Sequence, residues 1–189
     1  MRLPSVGHAS DADLVDRARQ GDESAEDAIY RRHVQAVAGL TLRLLRNRAD
    51  MEDVVQDTFA IALAKLASLR DGASLRSWLL QIAVRLARRR LRRAALLGFL
   101  GAAPGADTPL DALVSEALDP EACAELAVLD RVLCDLPTEQ RIAWVLRYAE
   151  GESVEDVAYE CHCSVSTAKR RIAAADACVR RHVRLKEVL

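Results

Sequence analysis

Apolar residues recur along most of the chain at three- and four-residue spacing, the signature of one face of an α-helix. Leu14, Val15 and Ala18 begin the series, behind Ser10 and Asp13, which are spaced as a reciprocal N-terminal cap. Gly21 predicts a stop, and a second helix is expected after Asp22 or Ser24, carrying Ala28, Ile29, Val34, Val37, Leu40, Leu44 and Leu45. After a break at 47–50, a third stripe runs through Val54, Val55, Phe59, Ala62, Leu63 and Leu66. Gly72 and Ser74 precede a fourth helix, expected from Leu75 or Ser77 to about Arg93, with Trp78, Leu79, Ile82, Ala83 and Leu86 inward. No strand-like alternation longer than four residues is found, so the predicted fold class is all-α.

Punctuation then divides the chain. Gly98, Gly101, Pro104, Gly105 and Pro109 fall close together and mark a domain boundary. Two small helical domains are expected, 1–94 and 120–189, joined by a flexible linker at 95–119 that holds a short helical turn around Leu110, Leu113, Val114 and Leu118. The second domain is expected to open near Pro120 and to continue with Leu126, Leu129, Leu133 and Leu136 at helical spacing. Pro137 ends that helix, and Thr138 is placed to cap the next, which carries Ile142, Ala143, Val145 and Leu146. Gly151, the Ser153–Asp156 cap, the turn Cys161–His162–Cys163 and the cap Ser164 frame a short helix and a final one from Val165 to about Val183.

The composition fits this reading. Of 189 residues, 51% are hydrophobic but only 4% aromatic, so Ala, Leu and Val supply the cores and favour helices. The formal net charge is −1, yet the charge is unevenly placed. Residues 85–93 read RLARRRLRR, six arginines in nine positions, whereas 94–120 contain no Lys or Arg and carry Asp107, Asp111, Glu116 and Asp119. The first residues, MRLPSVGHASDADL, hold no apolar signal-peptide core, and the longest apolar stretch, 94–103, is half a membrane span, so a cytoplasmic protein with reduced cysteines is expected.

Three patterns carry chemistry. A short helix, a tight turn and a helix opening on Ser166, Thr167, Lys169, Arg170 and Arg171 describe a helix-turn-helix, whose second helix enters the major groove by its N-terminal part. An ordinary helical hairpin with a solvated basic face has the same pattern. On the fourth helix, Arg85, Arg88, Arg89 and Arg92 share one side, a stripe suited to phosphate backbone. Asp50, Glu52, Asp53, Gln56 and Asp57 make a negative face on the third helix. With no nucleophile or metal set beside them, they suit protein docking better than acid–base catalysis.

Three segments together resemble the extracytoplasmic-function (ECF) sigma factors of bacterial RNA polymerase: DMEDVVQDTFAIALAKL, LRSWLLQIAVRLARRRLRR and LPTEQRIAWVLRYAEGESVEDVAYECHCSVSTAKRRI. The resemblance covers about 11–93 and 120–183. It implies a transcription initiation factor and no enzyme, no cofactor and no small-molecule substrate. Core RNA polymerase, promoter DNA and an anti-sigma factor are the implied partners. Asp50, Asp53, Gln56 and Asp57 match the positions that dock on the clamp helices of the polymerase's largest subunit. Trp78, with Arg85, Arg88, Arg89 and Arg92, matches the region that engages the minus-ten element. Ser164, Ser166, Thr167, Lys169, Arg170 and Arg171 match the helix that reads the minus-thirty-five element, and the acidic linker matches the segment that threads the RNA exit path.

The chain departs from that family at several points. Arg85 and Arg89 stand where the family usually carries Asn and Asp, adding positive charge at the expense of base-specific readout. A regulator that binds polymerase or an anti-sigma factor with weakened promoter reading is therefore the alternative. Ala173–Ala174–Ala175–Asp176 interrupts the basic run of the reading helix, and His162 replaces the usual turn glycine, which calls for a left-handed residue. The apolar segment Leu96–Leu100 either prolongs the fourth helix against the first domain, or docks on a partner or on the second domain. Cys161, Cys163, Cys178 and His182 can be assembled into a zinc set only through an unusual Cys-x-Cys turn, so small apolar roles are expected for Cys161 and Cys163, and positions in or beside the second domain's core for Cys123 and Cys134.

Overall fold

A computed structural model describes residues 9–99, 128–129 and 131–186. The expected turn at 110–118, Pro120, Cys123, Leu126 and the side chains of Leu96–Leu100 lie outside the residues so described. Among the described residues the regular structure is helical throughout. Helix α1 spans Asp11–Arg19, α2 Glu23–Leu45, α3 Arg48–Lys65 and α4 Leu75–Phe99, with 3-10 turns at Leu66–Ser68 and Gly72–Ser74. A helical stretch at 131–135 precedes α5 (Thr138–Trp144), α6 (Val154–Glu160) and α7 (Val165–Lys186).

Local chemistry explains most boundaries. Ser10 and Asp13 form the expected reciprocal cap, Ser10 Oγ accepting from Asp13 N at 3.2 Å and Asp13 Oδ2 from Ser10 N at 3.0 Å. Asp22 caps α2 through Ser24 N, and Asn47 caps α3 through Asp50 N at 3.0 Å. Thr138 does not cap α5: it is the first helical residue, and Pro137 precedes it without a side-chain cap bond. The backbone of α5 widens into a π turn over Val145–Ala149, and Gly151, at φ 73°, reverses the chain.

Helix α4 does not stop near Arg93. It runs to Phe99, because no helix breaker precedes Gly98 and Ala94–Leu97 are strong helix formers, so the first domain's last helix enters the segment expected to be linker.

In the first domain Leu14, Val15, Ile29, Val37, Leu40, Leu44, Val54, Phe59, Leu79, Leu80 and Ala83 are buried between α1–α4. In the second, Val132, Leu133, Leu136, Ile142, Leu146, Val157, Cys161, Ala168, Ile172 and Val179 are buried. The buried side chains of the two domains form one continuous cluster, because α5 and α6 pack against α4.

Candidate nucleic-acid and protein interfaces

Turning Val54, Val55, Thr58 and Phe59 inward leaves the opposite face of α3 to Glu52, Asp53, Gln56 and Asp57, all exposed, with Asp50 half-buried beside them. Arg90 of α4 reaches across to two of these carboxylates, hydrogen-bonding Asp50 Oδ1 and, at 3.1 Å, Asp53 Oδ2. Sequence reasoning counted Arg90 only as part of the basic run. Its partners become visible once α3 and α4 are side by side.

The arginine stripe on α4 divides. Arg85 and Arg89, four apart, are exposed and have no ion pair among the described residues. Arg88 and Arg92 turn instead toward the second domain. Arg88 Nε lies 3.0 Å from Glu139 Oε1, and Arg92 Nη2 donates to the same oxygen at 3.3 Å. The four arginines expected to act together are thus two open cations and two engaged ones.

Beside Arg85 a cleft of about 110 Å3 is lined by Lys65, Trp78, Gln81, Arg85 and, from the second domain, His162. Trp78 is half-buried at its edge, between the inward position its helical spacing predicts and the exposure that contact with DNA needs.

The helix-turn-helix is built as α6, a turn and α7. Ser164 caps α7, its Oγ accepting from Thr167 N at 3.2 Å and lying 3.0 Å from Ser166 Oγ and 2.9 Å from Thr167 Oγ1. Ser164, Ser166, Lys169 and Arg170 are exposed, while Ala168, Ile172 and Ala175 seat the helix. Thr167 is half-buried. Arg171 is partly buried and places Nη1 3.2 Å from Glu139 Oε2. His162 supplies the left-handed residue of the turn, at φ 49°.

Sequence reasoning missed the acidic side of this arrangement. Glu139 takes charge from three arginines: Arg88, Arg92 and Arg171. Glu150, half-buried as a residue but with its side chain shielded, pairs with Arg43 of α2 and lies 3.7 Å from Arg76, which also pairs with the buried Glu152. Gln81 Nε2 donates to Tyr159 O at 3.2 Å, and Arg46 Nη1 to Cys134 Sγ at 2.8 Å. The partners that join the two domains are more than 45 positions apart in sequence, and Arg171 and Glu139 are 32 apart, so no local pattern announces them.

Cys161 is buried, and burial pushes its thiol up to about 12, which suits a small apolar side chain and not a thiolate ligand. Cys178 Sγ lies 4.0 Å from His182 Nδ1, and among the described residues no three His, Cys, Asp or Glu side chains are grouped to hold a metal ion. No helix among the described residues is long and apolar enough to cross a membrane.

Comparison with known proteins gives the same two-part division. The family model for Sigma-70 region 2 matches residues 29–96, and that for Sigma-70, region 4, matches residues 126–175. The chain is 35% identical over 180 residues to the ECF RNA polymerase sigma factor SigM of Mycobacterium tuberculosis, covering 92% of this chain and 87% of that one. It is 31% identical to the ECF RNA polymerase sigma-E factor of Haemophilus influenzae, covering 86% and 89%. Among solved structures, CnrH in complex with the cytosolic domain of CnrY superposes with a TM-score of 0.68 at 26% identity, covering 94% of this chain and 99% of that one. The sigma factor RpoE from Bartonella quintana, in complex with the anti-sigma factor NepR, gives 0.63 at 26% identity, covering 80% and 91%.

Proposed function

The chain belongs to the ECF family of RNA polymerase sigma factors, and from that premise we propose how its surfaces share the work of promoter-specific initiation. It binds core RNA polymerase and directs it to promoter DNA, and it is a partner for an anti-sigma factor. It acts as a transcription regulator in the cytoplasm, with no catalytic chemistry of its own.

The exposed row Glu52, Asp53, Gln56 and Asp57, with Asp50 at its edge, docks on the polymerase. Arg85, Arg89 and Trp78 meet the minus-ten region first, with Arg88 and Arg92 joining them once Glu139 has moved away. A guanidinium row draws the phosphate backbone, and the half-buried indole offers a stacking edge. Ser164, Ser166, Thr167, Lys169, Arg170 and Arg171 read the minus-thirty-five element.

The observation that carries this reading is the start of α7: Ser164, Ser166, Lys169 and Arg170 stand exposed together on a helix held by buried Ala168 and Ile172. That geometry offers hydroxyl and cationic groups to base edges and phosphates at once. The test is transcription in vitro with purified core polymerase. Initiation at defined start sites is the expected result. Polymerase binding without initiation would favour a regulator with weakened promoter reading, and no affinity for polymerase would overturn both.

A further inference from the structure

We propose that Glu160 makes the seam between the two domains proton-dependent: the seam holds while this buried carboxyl keeps its proton and opens when the proton is lost. Glu160 ends α6, the helix that packs on α4 of the first domain. Its neighbours Tyr159 and Cys161 accept hydrogen bonds through their carbonyl oxygens from Gln81 and Arg88 of α4, at 3.2 and 3.4 Å. Helix α4 therefore forms part of the wall around Glu160. The residue is fully buried, and neither carboxylate oxygen has a hydrogen-bond partner among the described residues. Val157 and Cys161 share its buried face, a setting in which an apolar side chain packs without cost. An ionised carboxylate without hydrogen bonds or a paired cation is costly to hold out of water, whereas the neutral acid is tolerated.

The other charges around it are matched. Glu150 and Glu152, their side chains 6% and 10% exposed, face Arg43 of α2 and Arg76 of α4. Arg88 of α4 faces Glu139 of α5. Asp156 on α6 and Arg147 of the π turn, which donates to the Glu152 carbonyl oxygen at 2.8 Å, add one charge of each sign. Helix α7, which also packs on α6, buries the apolar Ala168 and Ile172. With Glu160 neutral these groups balance, and ionising it leaves one surplus negative charge that no described cation contacts. Burial, then the charge of Glu152, strengthens the carboxyl's hold on its proton. Separating the domains returns it to water, where it ionises as an ordinary carboxyl. The closed chain thus keeps a proton that the open chain releases. Closure is favoured at low pH and weakens as pH rises from about 4.5 through about 8. One proton changes the ratio of open to closed chains by at most ~10-fold per pH unit across that window.

The test follows the full free chain from about pH 6 to about pH 9, across the upper part of that window. Small-angle scattering reads the radius of gyration, circular dichroism the helix content, and infrared absorption the protonated carboxyl. Wild type is expected to expand as the infrared band fades, with helix content constant. Glu160→Gln keeps a neutral group of the same shape, so it should lack the titrating band and stay compact throughout. Glu160→Leu should stay compact as well, which removes the amide's own hydrogen bonds as the cause. Glu23→Gln, which neutralises an exposed carboxylate on α2, should expand as wild type does. Equal expansion of wild type and Glu160→Gln would overturn the proposal, as would a wild-type radius that stays constant while the band disappears. A band that persists through about pH 9 would overturn it too, because the carboxyl would then never ionise in the window. Helix content that falls together with the expansion would assign the proton's release to unfolding of the second domain, and the seam would not be the element that responds.

Discussion

Arg90 on α4 holds Asp50 and Asp53 on α3 from one guanidinium, the Asp53 contact at 3.1 Å. A residue of the basic helix thus fixes the acidic helix proposed to dock on polymerase. Asp53 remains 62% exposed in this pairing, so its charge is still presented outward. Asp53→Lys is expected to weaken polymerase binding at least ~10-fold, in line with like-charge juxtaposition at an interface, without unfolding the chain. Arg90→Ala should cost under about 1 kcal/mol of stability, because the pair is largely solvent-accessible. Equilibrium binding to core polymerase and chemical denaturation read the two effects. Equal loss of both in Asp53→Lys would point to misfolding.

Arg85 and Arg89 carry a prediction about salt. Each phosphate contact contributes about 0.9 to the slope of log affinity against log salt on duplex DNA. Replacing both with Ala should lower the slope of holoenzyme–promoter binding by roughly one to two. An unchanged slope would remove both from the DNA face. Arg171→Ala should weaken minus-thirty-five binding by about 1–3 kcal/mol with little change in polymerase affinity.

Gly72 is a packing position. A Cβ built there would lie 2.6 Å from Ala12 Cα and 3.2 Å from Ala12 Cβ, with backbone on the near side unable to swing away. Gly72→Ala is therefore expected to push α1 off the 3-10 turn and destabilise the first domain by about 1–3 kcal/mol. A thermal melt unchanged from wild type would show that α1 moves freely.

Glu160 gives the pH dependence. It is fully buried, both carboxylate oxygens lack a hydrogen-bond partner, and burial, followed by the nearby charge of Glu152, pushes its carboxyl from 4.5 up to about 8. Arg76 opposes this shift, while Asp156 and Glu150 add to it. Below about 4.5 the group is protonated folded or unfolded. Between about 4.5 and 8 the folded chain keeps a proton that the unfolded chain releases, so stability falls as pH rises. Above about 8 its contribution levels off. Glu160→Gln should flatten the fall between pH 5.5 and 8 in urea titrations, and parallel slopes in the two proteins would contradict this account.

Much of the fold was legible in the sequence because its signals are local. Ser10 with Asp13, Ser153 with Asp156, and Ser164 each mark a helix start that the structure keeps, and Gly21 and Gly151 take positive φ where breaks were expected. His162 is left-handed where a turn demanded it. The end of α4 lies past Arg93, where the periodic stripe was expected to stop, because Gly98 alone does not stop a helix that Ala94–Leu97 favour; as far as Phe99 this is the prolongation considered for the apolar segment. The candidate surfaces were legible as charge patterns, but their division was not. Helical spacing groups Arg85 with Arg88, Arg89 and Arg92, whereas the position of Glu139, more than 45 residues away, decides which of them are open. Arg90's hold on α3 was hidden for the same reason: it depends on tertiary packing.

The stoichiometry at Glu139 makes the seam lopsided under substitution. Losing any one of Arg88, Arg92 and Arg171 leaves the carboxylate with two cations, a small loss of attraction. Losing the carboxylate leaves three guanidinium groups clustered without a counter-ion, so attraction becomes repulsion. One point change at position 139 thus turns the local charge balance at this point of the seam from attractive to repulsive, while the arginines are individually dispensable to it.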